Sequence, residues 1–252
     1  MEYTVKIALI SNLVTSNISK NQERMLKLAQ DAVNMDAEMV IFPEAAATGL
    51  VINGKAGHDY PLTESIPGPR NKEWAIFAEE FGIYFEAGLL ELDEQVIYDS
   101  AVLFDPSGEL VLHHRRNDRG WCGDNFNPSI YQIGSDIPVA DTSLGKVAML
   151  ICGELWQSEI YNQFKERDVD VLIYPFTKSI SSSTDIVSAW VKEFPKYLER
   201  WRSTHVPVLA SNIYEPDERK PAIGGAWYMD KYGNLRKSSP IKQESILIID
   251  LK

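Results

Sequence analysis

The chain is poor in cysteine, in positive charge and in long apolar runs. Two cysteines among 252 residues cannot build the disulfide framework of a small secreted fold, so both thiols are expected to be reduced and free for chemistry. Lys and Arg number 25 against 36 Asp and Glu, for a net charge of −11. That balance argues against a nucleic-acid partner, which needs clustered cations to displace the counterions of a phosphate backbone. No apolar stretch reaches the roughly 20 residues of a membrane span, and the opening MEYTVKIALISN has too short an apolar run for a secretory signal. The expectation is a cytoplasmic protein that binds neither nucleic acid nor membrane. Histidine is scarce as well, and His113 and His114 are neighbours on an expected strand. Their side chains then point to opposite faces and cannot chelate one metal; no other Cys/His spacing fits zinc, so no metal is expected.

What the chain does have is apolar content, 44% of its residues, enough to bury a substantial core. Strand-like runs alternate with helical patterns from end to end. YTVKIALI reads as a strand, and Ser19 with Gln22 forms a capping-box pair ahead of a helix buried through Met25, Leu28, Ala29 and Ala32. AEMVIFPE is the next strand, KEWAIFAEEFG a helix closed by Gly82, and IYFEAGLLEL, VIYDSAVLFD and ELVLHHRR an antiparallel meander. After the polar loop NDRGWCGDNFNPS come the strand VAMLIC, a helix from about Ser158 to Arg167, the strand VDVLIYPF and a longer helix that Pro195 should start or kink. PVLASN, GGAWYMD and SILIIDL complete the strands. With no linker or repeat, the alternation predicts one layered α/β domain, residues 1–252, with a mixed sheet.

Three strand ends carry candidate chemistry. In VAMLICGELW, Cys152 is either a small buried hydrophobe or a nucleophile presented at a strand-to-helix turn, where Gly153 gives backbone freedom and N–H groups aim at a ligand. In VIFPEAAATG, Glu44 is either the first exposed loop residue or a deliberately placed carboxylate, and position alone does not decide. HHRRNDRG ends a third strand with a cationic cluster, a solvated edge unless it faces a thiol, where it would stabilise a thiolate and later an oxyanion. GLVINGKA only nearly matches a phosphate-binding loop. Cys122, in GWCGDN, is the rival nucleophile, although lining a pocket mouth suits it better.

These elements in this order resemble the nitrilase superfamily of carbon–nitrogen hydrolases, with Glu44 in IFPE, Arg116 in HRR where the family has a lysine, and Cys152 in LICGE. The resemblance extends over VDVLIYPF, Asn212 and GGAWYMDKYGN, almost the whole chain. It implies a four-layer α-β-β-α sandwich with mixed sheets, commonly paired through helices into a homodimer or higher homo-oligomer. It also implies an amidase that hydrolyses a non-peptide C–N bond in a small amide or carbamoyl compound, without cofactor, through a cysteine thioester. Glu44 would be the base, Cys152 the nucleophile, and Gly153 N–H with Arg116 the oxyanion donors. Asn127 stands where a second family glutamate is expected, Trp121 and Phe176 are candidate pocket residues, and residues 117–129 and 177–184 would form the walls. The alternative is a catalytically impaired homologue that binds a small molecule or a protein. If the family cation acts by charge alone, arginine can serve, and Arg116→Lys should change substrate range more than rate.

Overall fold

The computed structural model describes residues 4–122, 126–180, 185–216 and 221–251. The first half contains β1 (Val5–Ser11), α1 (Ile18–Val33), β2 (Met39–Ile41), α2 (Ala56–Asp59), α3 (Pro69–Phe81) and the meander β3 (Tyr84–Asp93), β4 (Val96–Phe104), β5 (Leu110–Arg115). The second contains β6 (Val139–Thr142), β7 (Gly145–Met149), α4 (Ser158–Lys165), β8 (Val171–Phe176), α5 (Ile186–Arg202) and β9 (Val208–Asn212). The short strands β10 (Tyr214–Glu215) and β11 (Ala222–Ile223) follow, then β12 (Ala226–Met229), β13 (Leu235–Ser238) and β14 (Ser245–Leu251).

The strands form two six-stranded sheets, ordered β14-β1-β2-β3-β4-β5 and β13-β12-β9-β8-β7-β6. Each has a parallel centre, β1-β2-β3 or β7-β8-β9, extended by antiparallel strands. Both sheets are therefore mixed, as expected. Two sheets stand where the alternation by itself suggested one, because a pattern of buried residues does not say which strands pair.

Side-chain alternation builds the four layers. On β1, Ile7 and Leu9 join Val147 and Met149 of β7 in a core between the sheets, while Ala8 and Ile10 pack with Met25 of α1 and Trp74 of α3. On the far side, Ala148, Leu172 and Tyr174 pack with Phe164 of α4 and with Trp190 and Trp201 of α5. Strands covered on both faces read as continuous apolar runs, which is why β2 and β8 are buried at every residue.

Two local expectations change. The α1 cap is Asn17, whose side chain accepts from Lys20 N, whereas Gln22 accepts from Trp74 Nε1 at 3.0 Å and so ties α1 to α3. Pro195 does not begin a helix: α5 starts at Ile186, capped by Asp185, and runs through the proline to Arg202.

The meander is clamped by Glu91, which accepts from Ser100 Oγ at 2.6 Å and Arg115 Nη2 at 2.5 Å and pairs with His113 Nε2 at 2.8 Å. Burial alone would raise its pKa, but the hydrogen bonds from His113, Arg115 and Ser100 outweigh it and bring the carboxyl from 4.5 down to about 2. A depressed folded-state pKa gives stability that is present above 4.5 and is lost as the pH falls through 2. Glu91→Gln should therefore cost about 2–3 kcal/mol at pH 7 and much less at pH 2, measured by urea titration at both. An equal cost at the two pH values would refute the charge-based account.

Candidate active site

The parallel centres of the two sheets bring their carboxyl ends to one edge of the inter-sheet core. From the first sheet, β2 runs out through Phe42 and Pro43 to Glu44, and β5 runs out to Arg116. From the second, β7 continues through Leu150 and Ile151 to Cys152. Glu44 is fully buried. Its turn lies directly on β3, where a Cβ on Gly88 would come within 2.7 Å of both Glu44 Cα and Ala45 N. Only glycine permits that approach.

Ala45 and Cys152 both adopt left-handed backbone conformations, with φ of +48° and +47°, which cost a non-glycine residue energy and need surrounding structure to hold them. The sharp turn expected from Gly153 is thus made by Cys152 itself. Gly153 is required for space: a Cβ there would lie 2.5 Å from Arg116 Nη2 and 3.0 Å from both carboxyl oxygens of Asp118.

Arg116 is 3% exposed and organises the centre. Its Nη1 donates to Glu44 Oε1 at 2.7 Å and to Asp99 Oδ2 at 3.2 Å, while Nε and Nη2 donate to the two oxygens of Asp118 at 2.7 and 3.2 Å. The planar fork serves three carboxyl groups at once, a geometry that a single ammonium nitrogen cannot reproduce. Among the described residues no group of three or more His, Cys, Asp or Glu side chains is arranged to hold a metal ion. The carboxyl groups here are turned toward the guanidinium.

The Cys152 turn is pinned from several sides. Glu154 accepts from Ile151 N at 2.5 Å and Asn117 N at 2.8 Å and pairs with His114 Nε2 at 2.8 Å, joining the Cys152 turn to the Arg116 segment. Tyr174 Oη donates to the Cys152 carbonyl at 2.5 Å. The Cys152 Sγ lies 3.8 Å from the Thr177 carbonyl, and Thr177 Oγ1 donates to the Glu44 carbonyl at 3.4 Å, so one residue touches both the thiol and the Glu44 turn. Burial and the Glu44 charge, opposed by Arg116, push the thiol up to about 12. The neighbouring cation therefore does not offset burial, and the thiol keeps its proton at neutral pH.

The remaining expected residues lie elsewhere. Asn127 is exposed and its side chain accepts from Ser129 N at 2.9 Å, closing its own turn, so it does not replace a second glutamate. Phe176 is fully buried in the aromatic layer with Tyr174, Trp201 and Trp227, because β8 is covered on both faces. Trp121 packs against Tyr131 in a cluster with Leu90 and Cys122. Cys122 is 2% exposed, and burial raises its pKa. His113 and His114 do face opposite ways, toward Glu91 and Glu154. Of the expected pocket walls, residues 123–125 and 181–184 lie outside the described residues. Asp99 and Asp118 are carboxyl groups of the centre that the motifs did not mark, whereas Glu154 is the glutamate that closes LICGE.

The sequence profile of the carbon–nitrogen hydrolase family matches residues 6–214. The chain belongs to that family. An omega-amidase of Xenopus tropicalis is 26% identical over 183 residues, which cover 68% of this carbon–nitrogen hydrolase and 62% of the relative, so the match spans about three fifths of that relative's length. A carbon–nitrogen hydrolase from Helicobacter pylori superposes with a TM-score of 0.86 at 16% identity, covering 98% of this chain and 89% of that one. A glutamate-to-glutamine mutant of the amidase from Nesterenkonia sp. AN1, showing Michael addition of acrylamide at its active-site cysteine, superposes with a TM-score of 0.78 at 15% identity, covering 98% and 93%. These likenesses show the fold, the nitrilase-type sandwich of two mixed sheets between helices.

Proposed function

We propose that this carbon–nitrogen hydrolase is an amidase that cleaves the C–N bond of a small linear amide or carbamoyl compound through a thioester on Cys152. The observation that carries the reading is the meeting, at one edge of the inter-sheet core, of the Cys152 thiol with a buried Glu44 whose Oε2 has no hydrogen-bond partner among the described residues. A buried carboxylate oxygen without a donor is placed to accept a proton. The omega-amidase relative supports amide cleavage, and the acrylamide adduct on the Nesterenkonia amidase supports a nucleophilic cysteine on this fold.

In this mechanism Glu44 takes the thiol proton while sulfur forms its bond to the carbonyl carbon. The oxyanion is held by the Gly153 backbone N–H and by Nη2 of Arg116, each well-placed donor worth about 3 kcal/mol. As the C–N bond breaks, Glu44 returns the proton to the nitrogen and ammonia or an amine departs, leaving the acyl group on sulfur. Glu44 then takes a proton from water, whose oxygen attacks the thioester, and the thiol leaves reprotonated. No step draws on ATP or an added metal.

The test is ammonia release from a panel of short amides, ω-amides and carbamoyl compounds with EDTA present and ATP absent. Iodoacetamide should alkylate Cys152 before the covered Cys122 by intact-protein mass, and activity should fall in proportion to that label. Turnover that survives complete alkylation of Cys152 would overturn the reading. Absence of turnover and of any acyl adduct across the panel would favour a binding protein on the same fold.

A further inference from the structure

Asp99 is fixed on β4 on the face it shares with Ala101 and Leu103, pointing into the core between the sheets. The strand-like pairing carries on beyond β5, where Arg116 N donates to the Asp99 carbonyl at 2.8 Å. The Asp99 side chain is 1% exposed. Its Oδ2 receives the longer of the two Nη1 bonds from Arg116, 3.2 Å against 2.7 Å for Glu44. Its other oxygen, like Glu44 Oε2, has no partner among the described residues. The two carboxyl groups lie within hydrogen-bonding reach of each other.

Three carboxyl groups around one guanidinium leave an excess of negative charge in a site shut off from water. Two carboxyl groups that meet on one Arg116 nitrogen there cannot both ionise cheaply, and one proton on Asp99, shared with Glu44, relieves that repulsion. We infer that Asp99 holds that proton at neutral pH and donates it as a hydrogen bond to Glu44, acting as a neutral positioning partner of the general base. Asp99 is the member that carries the proton because its bond to Arg116 is the longer. Burial first, and the Glu44 charge second, hold Asp99 well above the usual carboxylate range against the pull of Arg116. The titratable and charged groups facing it are Glu44 from the turn after β2, Arg116 and its partner Asp118 from the segment after β5, and Cys152 from the turn after β7. On neighbouring β3 the residue opposite it is apolar Leu90. No electron pair or leaving group passes through Asp99. Its O–H steadies the Glu44 carboxylate, leaves Oε2 free for the thiol proton and keeps a second negative charge away from the reacting thiol.

This inference rests on the amidase reading only in its kinetic arm. Asp99→Asn keeps the shape, offers an amide donor to Glu44 and an acceptor to Arg116, and cannot ionise; Asp99→Leu removes both. The difference infrared spectrum of wild type minus Asp99→Asn at pH 7 should contain the C=O stretch of a protonated carboxyl. Glu86, a second fully buried carboxyl raised well above its ordinary value by burial, contributes equally to both proteins and cancels. Iodoacetamide alkylation of Cys152 at pH 7 should stay within about five-fold of wild type in Asp99→Asn and slow by about 100-fold or more in Asp99→Leu, with amide turnover following the same order. Thermal melts confirm that each variant is folded. A difference spectrum without the carboxylic-acid band, or an Asp99→Asn protein as slow as Asp99→Leu, overturns the inference. If the band is present and alkylation follows the expected order but no amide turns over, the amidase reading fails and the proton assignment stands.

Discussion

Glu44→Gln should fold normally and lower kcat/KM for any amide substrate by about 1,000-fold or more, with the burst of acyl-enzyme formation lost. The amide keeps an oxygen that can accept from Arg116 Nη1, so the turn on β3 retains its packing and its hydrogen bond. What disappears is the only role glutamine cannot play, acceptance of the Cys152 proton. With the thiol held at about 12 by burial and by Glu44, no reservoir of thiolate exists at pH 7 to sustain the reaction unaided. Removing the Glu44 charge eases that shift, but burial, the larger cause, remains. Rapid-quench measurement of the first turnover, alongside a thermal melt, separates chemistry from folding. A Glu44→Gln enzyme that acylates at the wild-type rate would make the carboxylate structural and leave the thiol's proton without a destination.

Arg116→Lys, which preserves the charge, should still lower kcat by about 100-fold or more and cost about 2–4 kcal/mol of stability. Charge alone would predict a change in substrate range rather than rate, and the geometry explains why that expectation gives way. Four donor contacts from three nitrogens of the guanidinium reach Glu44, Asp99 and Asp118. One ammonium nitrogen cannot face all three, so at least one buried carboxyl group loses its partner. Gly153, which leaves room for Nη2, would then border an unfilled space. Steady-state kinetics on the best amide of the panel, with chemical denaturation of both proteins, provide the check. A lysine variant as fast and as stable as wild type would show that the fork geometry carries no weight.

An apolar run that stops at a carboxylate or a thiol marks a candidate without coordinates, but position alone leaves both Glu44 and Cys152 undecided; it is the order of the three strand ends, matched to the family pattern, that singles them out. Asp99 also carried a signal, since it occupies an inward position of β4 in step with Ala101 and Leu103, where a carboxyl group is out of place. His114 and Arg116 alternate with Leu112 in the same manner. Phe176 sits where alternation carries no information: on a strand buried on both faces, a period of two does not say which side is pocket and which is core. Asn127 lies in a loop, which has no periodicity to fix which of its residues faces the centre. The role of Gly153 depends on a contact with a side chain 37 positions away, which no local pattern can reveal.

The base, its acidic neighbour and the guanidinium stand on one sheet and the thiol on the other. Neither half of the chain therefore contains a reactive centre. Until the two sheets close on each other, Cys152 is an ordinary thiol with no base at hand, and a nascent chain has no means of acylating itself on a passing amide. Competence requires the two sheets to be closed on each other, so the proposed amidase activity reports that closure.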